Sequence, residues 1–107
     1  MEYESLQKTF NPVKFDPEKW ADAAKEAGMK YVIFTTKHHD GFSMFDSKYT
    51  DYKVTSPECP FSTNPRSNIT KEIFDAFREK GLWTGAYFSK PDWHTPYYWD
   101  PKYPPRD

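Results

Sequence analysis

Lys37, His38, His39 and Asp40 stand in a row, and Gly41-Phe42 follows them. An imidazole both donates and accepts hydrogen bonds, so an adjacent pair suits the vicinal hydroxyls of a polyol or sugar. No nucleophile for either ring to activate stands beside the pair in sequence. Two other roles fit the same residues. One histidine could cap backbone groups where a strand ends while the other faces water. Alternatively, His38, His39, Asp40 and His94 offer donors to a metal ion, although adjacent histidines share an ion poorly and neither His-x3-His nor Glu-x-x-His spacing occurs. A second group runs Tyr87-Phe88-Ser89-Lys90-Pro91-Asp92-Trp93-His94. A tyrosine at a strand end followed by Trp93 and His94 makes an aromatic wall with polar tips, or else a strand whose loop packs on its own rings.

These groups need elements to hold them. Neighbouring side chains of a strand point to opposite faces, so both histidines reach one pocket only where the strand has ended and turned. Asp40-Gly41 supplies that turn. Before it, Lys30 to Thr36 is a continuous β-branched and aromatic run, the pattern of a strand covered on both faces in a parallel sheet. Upstream, Asp16-Pro17 opens a helix as cap and first residue, with Trp20, Ala23, Ala24 and Ala27 on one face and Gly28 as its stop. A long loop is expected from Lys37 to Ser67. Asn68 then caps a second helix with Ile69, Ile73, Ala76 and Phe77 on its apolar face, and Gly81 ends it. Leu82 to Ser89 reads as the second strand, where Gly85 marks a bend or a close backbone approach.

The two halves resemble each other. Gly28 precedes Lys37 by nine residues, Gly81 precedes Lys90 by nine, and the units repeat at a spacing of 53. Each lysine is trailed by an aspartate, Asp40 or Asp92, with histidine nearby. Helix–strand alternation implies a parallel sheet with functional groups at the carboxyl ends of its strands.

Composition narrows the classes. With 15 basic and 16 acidic residues the net charge is −1, which gives no electrostatic reason to expect nucleic acid or an anionic membrane as partner. No apolar run approaches the ~20 residues of a membrane span, and no basic-then-apolar signal opens the chain. Cys59 stands alone, so no internal disulfide forms, and a buried or incidental thiol is the expected reading because no nearby charge pattern would activate it. Aromatics make up 20% of the chain while aliphatics are scarce, a balance that fits ring-rich packing or a sugar-binding surface. Eight of the ten prolines gather in 57–65 and 91–105, and 90–107 is expected to be an aromatic and proline-rich loop or tail to a single segment spanning 1–107.

The stretches "FNPVKFDPEKWADAAKEAGMKYVIFTTKHHDGF", "MFDS", "YTDY" and "IFDAFREKGLWTGAYFS", followed by Trp93, resemble the alpha-L-fucosidase family of retaining glycoside hydrolases in order and spacing. The resemblance runs from about Phe10 to Trp93. "YFS" stands where members carry "YYS", and "NPRSNIT" where many carry "RDL". It implies a (β/α)8-like barrel, usually with a C-terminal β-sandwich, and a pocket for a terminal alpha-L-fucose at the carboxyl ends of the strands. His38 and His39 would hydrogen-bond the fucose hydroxyls and Tyr87 would face the sugar, while Trp93 is a further substrate-binding candidate from the aromatic wall read above. No metal or organic cofactor is implied. Family members are often secreted, periplasmic or lysosomal, and this sequence does not choose a compartment.

Retaining hydrolysis also needs a nucleophile and an acid/base with carboxyl groups ~5–5.5 Å apart. The family nucleophile lies in a Trp-x-Asp motif on a later strand, and the expectation is that no such motif is present: Trp93 is followed by His94 and Thr95, and Trp99-Asp100 has the wrong spacing and no strand before it. Asp40 and Asp92 are the strand-end carboxylates available. A full barrel takes ~250 residues, so the expectation is a partial barrel of about two helix–strand units with open sheet edges. It is expected to bind fucose or fucosylated glycans and to complete itself as a homo-oligomer. A non-catalytic fucose-binding module and a purely structural fragment are the alternatives.

Overall fold

The computed structural model describes residues 4–90, 92 and 94. Helix α1 spans Pro17–Glu26 and begins as its sequence dictates. The Asp16 carboxylate accepts the Lys19 N–H at 3.2 Å, meeting one of the unpaired donors of the first turn. Gly28, at φ 81°, lets the chain reverse out of the helix. The buried stripe is Pro17, Ala21 and Ala24, not the expected Trp20, Ala23, Ala24 and Ala27. Small residues occupy the stripe that joins the core. Trp20, 52% exposed, sits beside it and packs edge-on against Phe15.

Helix α2, Ile69–Glu79, buries Ile69, Ile73, Ala76 and Phe77, the face read from its periodicity. Asn68 occupies the cap position, yet its side chain makes no capping bond, and its Oδ1 is buried without a hydrogen-bond partner among the described residues. The helix start is held differently. The Met44 carbonyl accepts both the backbone N–H and the hydroxyl of Thr70, at 2.9 and 2.7 Å.

Strands β1, Tyr31–Lys37, and β2, Trp83–Phe88, pair in parallel. Tyr31 lies opposite Trp83, Ile33 opposite Gly85 and Thr35 opposite Tyr87. At Gly85 the Ile33 side chain lies 3.6 Å from where a Cβ would stand. Val32 and Phe34 pack towards the core formed by α1, α2 and the loop. The other face stays open, with Ile33 62% and Trp83 81% exposed. The run of β1 reads as a strand covered on both faces of a parallel sheet, but two strands and two helices are expected to leave a strand face uncovered, and the described elements do cover only one face. Among the described residues no helix is long and apolar enough to cross a membrane.

The connection after β1 is more than a surface loop. It carries a parallel bridge between Ser43 and Lys53 and a short 3-10 turn at Pro60–Thr63. Val54, Cys59 and Phe61 from this segment are completely buried and form one core with Ala21, Ile73 and Phe77. Phe10, Phe42, Tyr52, Phe15 and Phe61 pack edge-to-face along its underside, so part of the high aromatic content is structural. Buried Gln7, in a 3-10 turn over Glu4–Lys8, ties the N-terminal segment to this loop by donating to the carbonyls of Asp51 and Lys53.

Candidate functional site

The site begins with a one-residue slip. The strands keep step to Thr35 opposite Tyr87, but Lys37, not Thr36, lies opposite Phe88. A slip of one residue exchanges the faces of everything beyond it. Its imprint on β1 is that Thr36 and Lys37 are both buried, breaking the alternation. The Thr36 hydroxyl donates to the Tyr87 carbonyl at 3.1 Å, which steadies the slip. Lys37, 4% exposed, lies with its ammonium 4.7 Å from the centre of the Phe88 ring and 3.4 Å from the Asp92 carboxylate. The same ammonium donates to the His38 carbonyl at 3.3 Å.

With Lys37 turned inward, His38 emerges on the side of Tyr87. Their rings stack, 5.9 Å apart and 16° from parallel. His39 meets His38 edge-on at 4.4 Å, so the turn brings both imidazoles together. That turn is closed by the Gly41 N–H donating to the His38 carbonyl at 3.0 Å, and the Asp40 carboxylate accepts the Phe42 N–H at 3.3 Å. Gly41 is required twice over: its φ is +85°, and a Cβ there would stand 2.4 Å from Asp92 Oδ1 and 2.7 Å from the Cβ of His94. Asp92 and His94 thus lie directly against the histidine turn.

Of the residues singled out from sequence, His38, His39 and Tyr87 converge at the carboxyl ends of the strands. Trp93 lies outside the described residues, as does most of the expected 90–107 loop. His94 is stacked on Tyr52 and bonded through Nδ1 to the Glu4 carboxylate. Among the described residues no group of three or more histidine, cysteine, aspartate or glutamate side chains is arranged to hold a metal ion.

Asp40 and Asp92 are both engaged in local structure. Asp40 secures its own turn, and Asp92 pairs with Lys37 and accepts the His94 N–H at 3.0 Å. The expectation that no Trp-x-Asp spacing is present is corrected by Trp20-Ala21-Asp22, but that triplet lies on α1 rather than at a strand end, and Asp22 pairs with Lys80 at 2.8 Å. Further from the site, the loop after β1 is pinned by Asp46. Hydrogen bonds from Lys53 and Thr55 hold its carboxyl below the usual aspartate range. Arg66 forks onto Glu18, tying the start of α1 to the approach to α2, and its hydrogen bond lowers the Glu18 pKa.

Two site residues had no role in the sequence reading. Lys37 was noted only for its place in the motif, and its burial follows from the slip. Ser89, buried at the end of β2, joins its hydroxyl to His39 Nδ1 at 2.5 Å. No spacing rule exposes a contact between residues 50 apart in sequence.

A sequence model of the alpha-L-fucosidase family matches residues 1–107. The Arabidopsis thaliana protein alpha-L-fucosidase 1 is 39% identical over 85 residues, covering 79% of this chain and 16% of its own length. The solved alpha-L-fucosidase isoenzyme 1 from Paenibacillus thiaminolyticus superposes with a TM-score of 0.83 at 50% identity, over 97% of this chain and 23% of that one. An alpha-L-fucosidase from Lactobacillus casei, solved in complex with alpha-L-fucose product, gives 0.81 at 42% identity over 90% of this chain and 28% of its own. The chain thus spans 16% to 28% of the length of these relatives.

Proposed function

The chain belongs to the alpha-L-fucosidase family, and we propose that it carries one wall of a fucose-binding subsite within a (β/α)8-type barrel. His38 and His39 hydrogen-bond the sugar hydroxyls, the exposed Tyr87 ring flanks the pyranose, and Trp93 extends the aromatic wall. The parent reaction is hydrolysis of terminal alpha-L-fucosides with retention, without metal or organic cofactor. The observation that carries the reading is the convergence of His38, His39 and Tyr87 where both parallel strands end, the side on which barrels build their sites. The Lactobacillus casei relative, solved with alpha-L-fucose product, supports fucose as the ligand.

Catalysis needs two carboxyl groups poised across the glycosidic bond. Asp40 and Asp92 each serve local structure, which favours a chain that binds fucose and obtains its catalytic carboxylates from elsewhere. Self-association through the open sheet face and the strand edges is part of the same proposal, since Tyr31, Ile33 and Trp83 otherwise stay wet.

Two measurements test it together: an L-fucose titration followed by amide chemical shifts, and release of nitrophenol from 4-nitrophenyl alpha-L-fucoside. The His38→Ala/His39→Ala double variant is the control. Saturable binding in the wild type, lost in the double variant, with equal background release from both, is the expected result. Absence of any fucose-dependent shift would overturn the subsite. Release by the wild type alone would overturn the non-catalytic reading, make self-assembly the source of the carboxylates, and turn attention to Asp40 and Asp92.

A further inference from the structure

We propose that Ser89 is a positioning residue for His39: its buried hydroxyl sets the rotamer and tautomer with which that imidazole meets a ligand. The inference rests on the fucose-subsite reading for its consequence and on geometry of its own for its cause.

The geometry is a built clamp. Ser89 is 4% exposed, and its backbone N–H donates to the Lys37 carbonyl at 3.0 Å, continuing the parallel ladder past the slip. In an unslipped register Ser89 would lie opposite Lys37. The slip moves it one position along, beside the histidine turn. There its Oγ lies 2.5 Å from His39 Nδ1. The serine cannot drift away, because its main chain is held on β1 and the Thr36 hydroxyl holds the Tyr87 carbonyl two residues earlier. Nor can the turn drift, because the Lys37 ammonium binds the His38 carbonyl and Gly41 closes the turn.

A neutral imidazole carries its proton on one nitrogen, and the bond made by the other nitrogen selects which. A serine hydroxyl rotates freely and can donate. Imidazole side chains in water already favour the proton on Nε2, and a hydroxyl donating to Nδ1 reinforces that choice. The contact thereby favours the Nε2–H form of His39, a donor of the kind a sugar oxygen accepts. Without the hydroxyl, Nδ1 loses this partner and the preference for one rotamer and tautomer weakens. The cost is felt as a loss of preorganisation: about tenfold in fucose affinity, the usual worth of one partly buried hydrogen bond.

The test uses the full chain labelled with 15N in its histidine rings. Long-range proton–nitrogen correlation reads the His39 tautomer without any ligand, and an L-fucose titration reads affinity. In the wild type His39 is expected as the Nε2–H form. Ser89→Ala, which removes only the hydroxyl, is expected to shift the ring towards a mixture and to weaken fucose binding about tenfold, while the backbone amides of β1 keep their positions. Ser89→Thr restores the hydroxyl and is expected to recover both. An unchanged His39 spectrum in Ser89→Ala would overturn the proposal, as would loss of affinity that Ser89→Thr fails to recover. If the wild type shows no response to fucose, the subsite reading falls, while the ring spectra still decide whether Ser89 positions His39.

Discussion

Replacing Gly41 by alanine tests the contact on which the site is assembled. Three glycines adopt left-handed backbone: Gly28 at φ 81°, Gly81 at φ 83° and Gly41 at φ 85°. An alanine at any of them bears a similar conformational cost, about 1 kcal/mol after allowing for its stiffer unfolded chain. At Gly28 and Gly81 nothing lies within 4 Å of the added Cβ, so the cost ends there. At Gly41 the new methyl would meet Asp92 Oδ1 at 2.4 Å and the His94 Cβ at 2.7 Å. Asp92 and His94 must shift, loosening the stacking of His94 on Tyr52 and the Lys37–Asp92 pair at 3.4 Å. Asp92 is partly exposed, so the pair is discounted for solvent, and the two losses together add about 2 kcal/mol. Gly41→Ala is therefore expected to cost about 3 kcal/mol against about 1 for Gly28→Ala. With a urea dependence near 2 kcal/mol per molar, the midpoints fall by about 1.5 M and about 0.5 M. Gly41→Ala alone should also weaken the fucose response, since the displaced Asp92 and His94 lie against the turn that carries His38 and His39. Equal midpoint losses in the two variants would refute the close approach of Asp92 and His94 to the histidine turn.

Two further expectations follow from burial. Cys59 is fully buried and its thiol faces the Phe10 carbonyl at 3.4 Å, so it should resist an aromatic disulfide reagent until urea unfolds the chain. Fast modification under native conditions would refute that packing. Burial also pushes the Cys59 thiol up from its ordinary pKa. Because the folded value is the higher one, its contribution to stability is complete below the unfolded pKa of about 8.5 and declines as pH rises through it towards the folded value. The urea midpoint should thus fall more between pH 7 and pH 10 in the wild type than in Cys59→Ala, and parallel curves would refute the assignment. Sedimentation velocity addresses the open sheet face: the wild type should associate with rising concentration, and an Ile33→Lys/Trp83→Lys double variant should do so less. A wild type that stays monomeric throughout would remove self-association from the proposal.

The local elements were legible because their signals are local. An aspartate followed by proline starts a helix, a glycine that can take positive φ ends one, and a four-position apolar stripe marks the buried face of α2. The imidazole pair was legible for the same reason, as adjacent residues before an Asp-Gly turn. The face of α1 was misjudged because tryptophan outweighs alanine in any pattern, whereas close packing of this helix favours the small side chains. Asn68 was placed at its cap position, but its bond was not, because the Met44 carbonyl from a distant loop takes hold of the helix start through Thr70. What only the tertiary structure decided is the slip between β1 and β2, the inward turn of Lys37, the rest of Asp92 on Gly41 and the grip of Ser89 on His39. Each depends on the register of two strands about fifty residues apart, and register is set by how whole faces pack rather than by any residue's own preference.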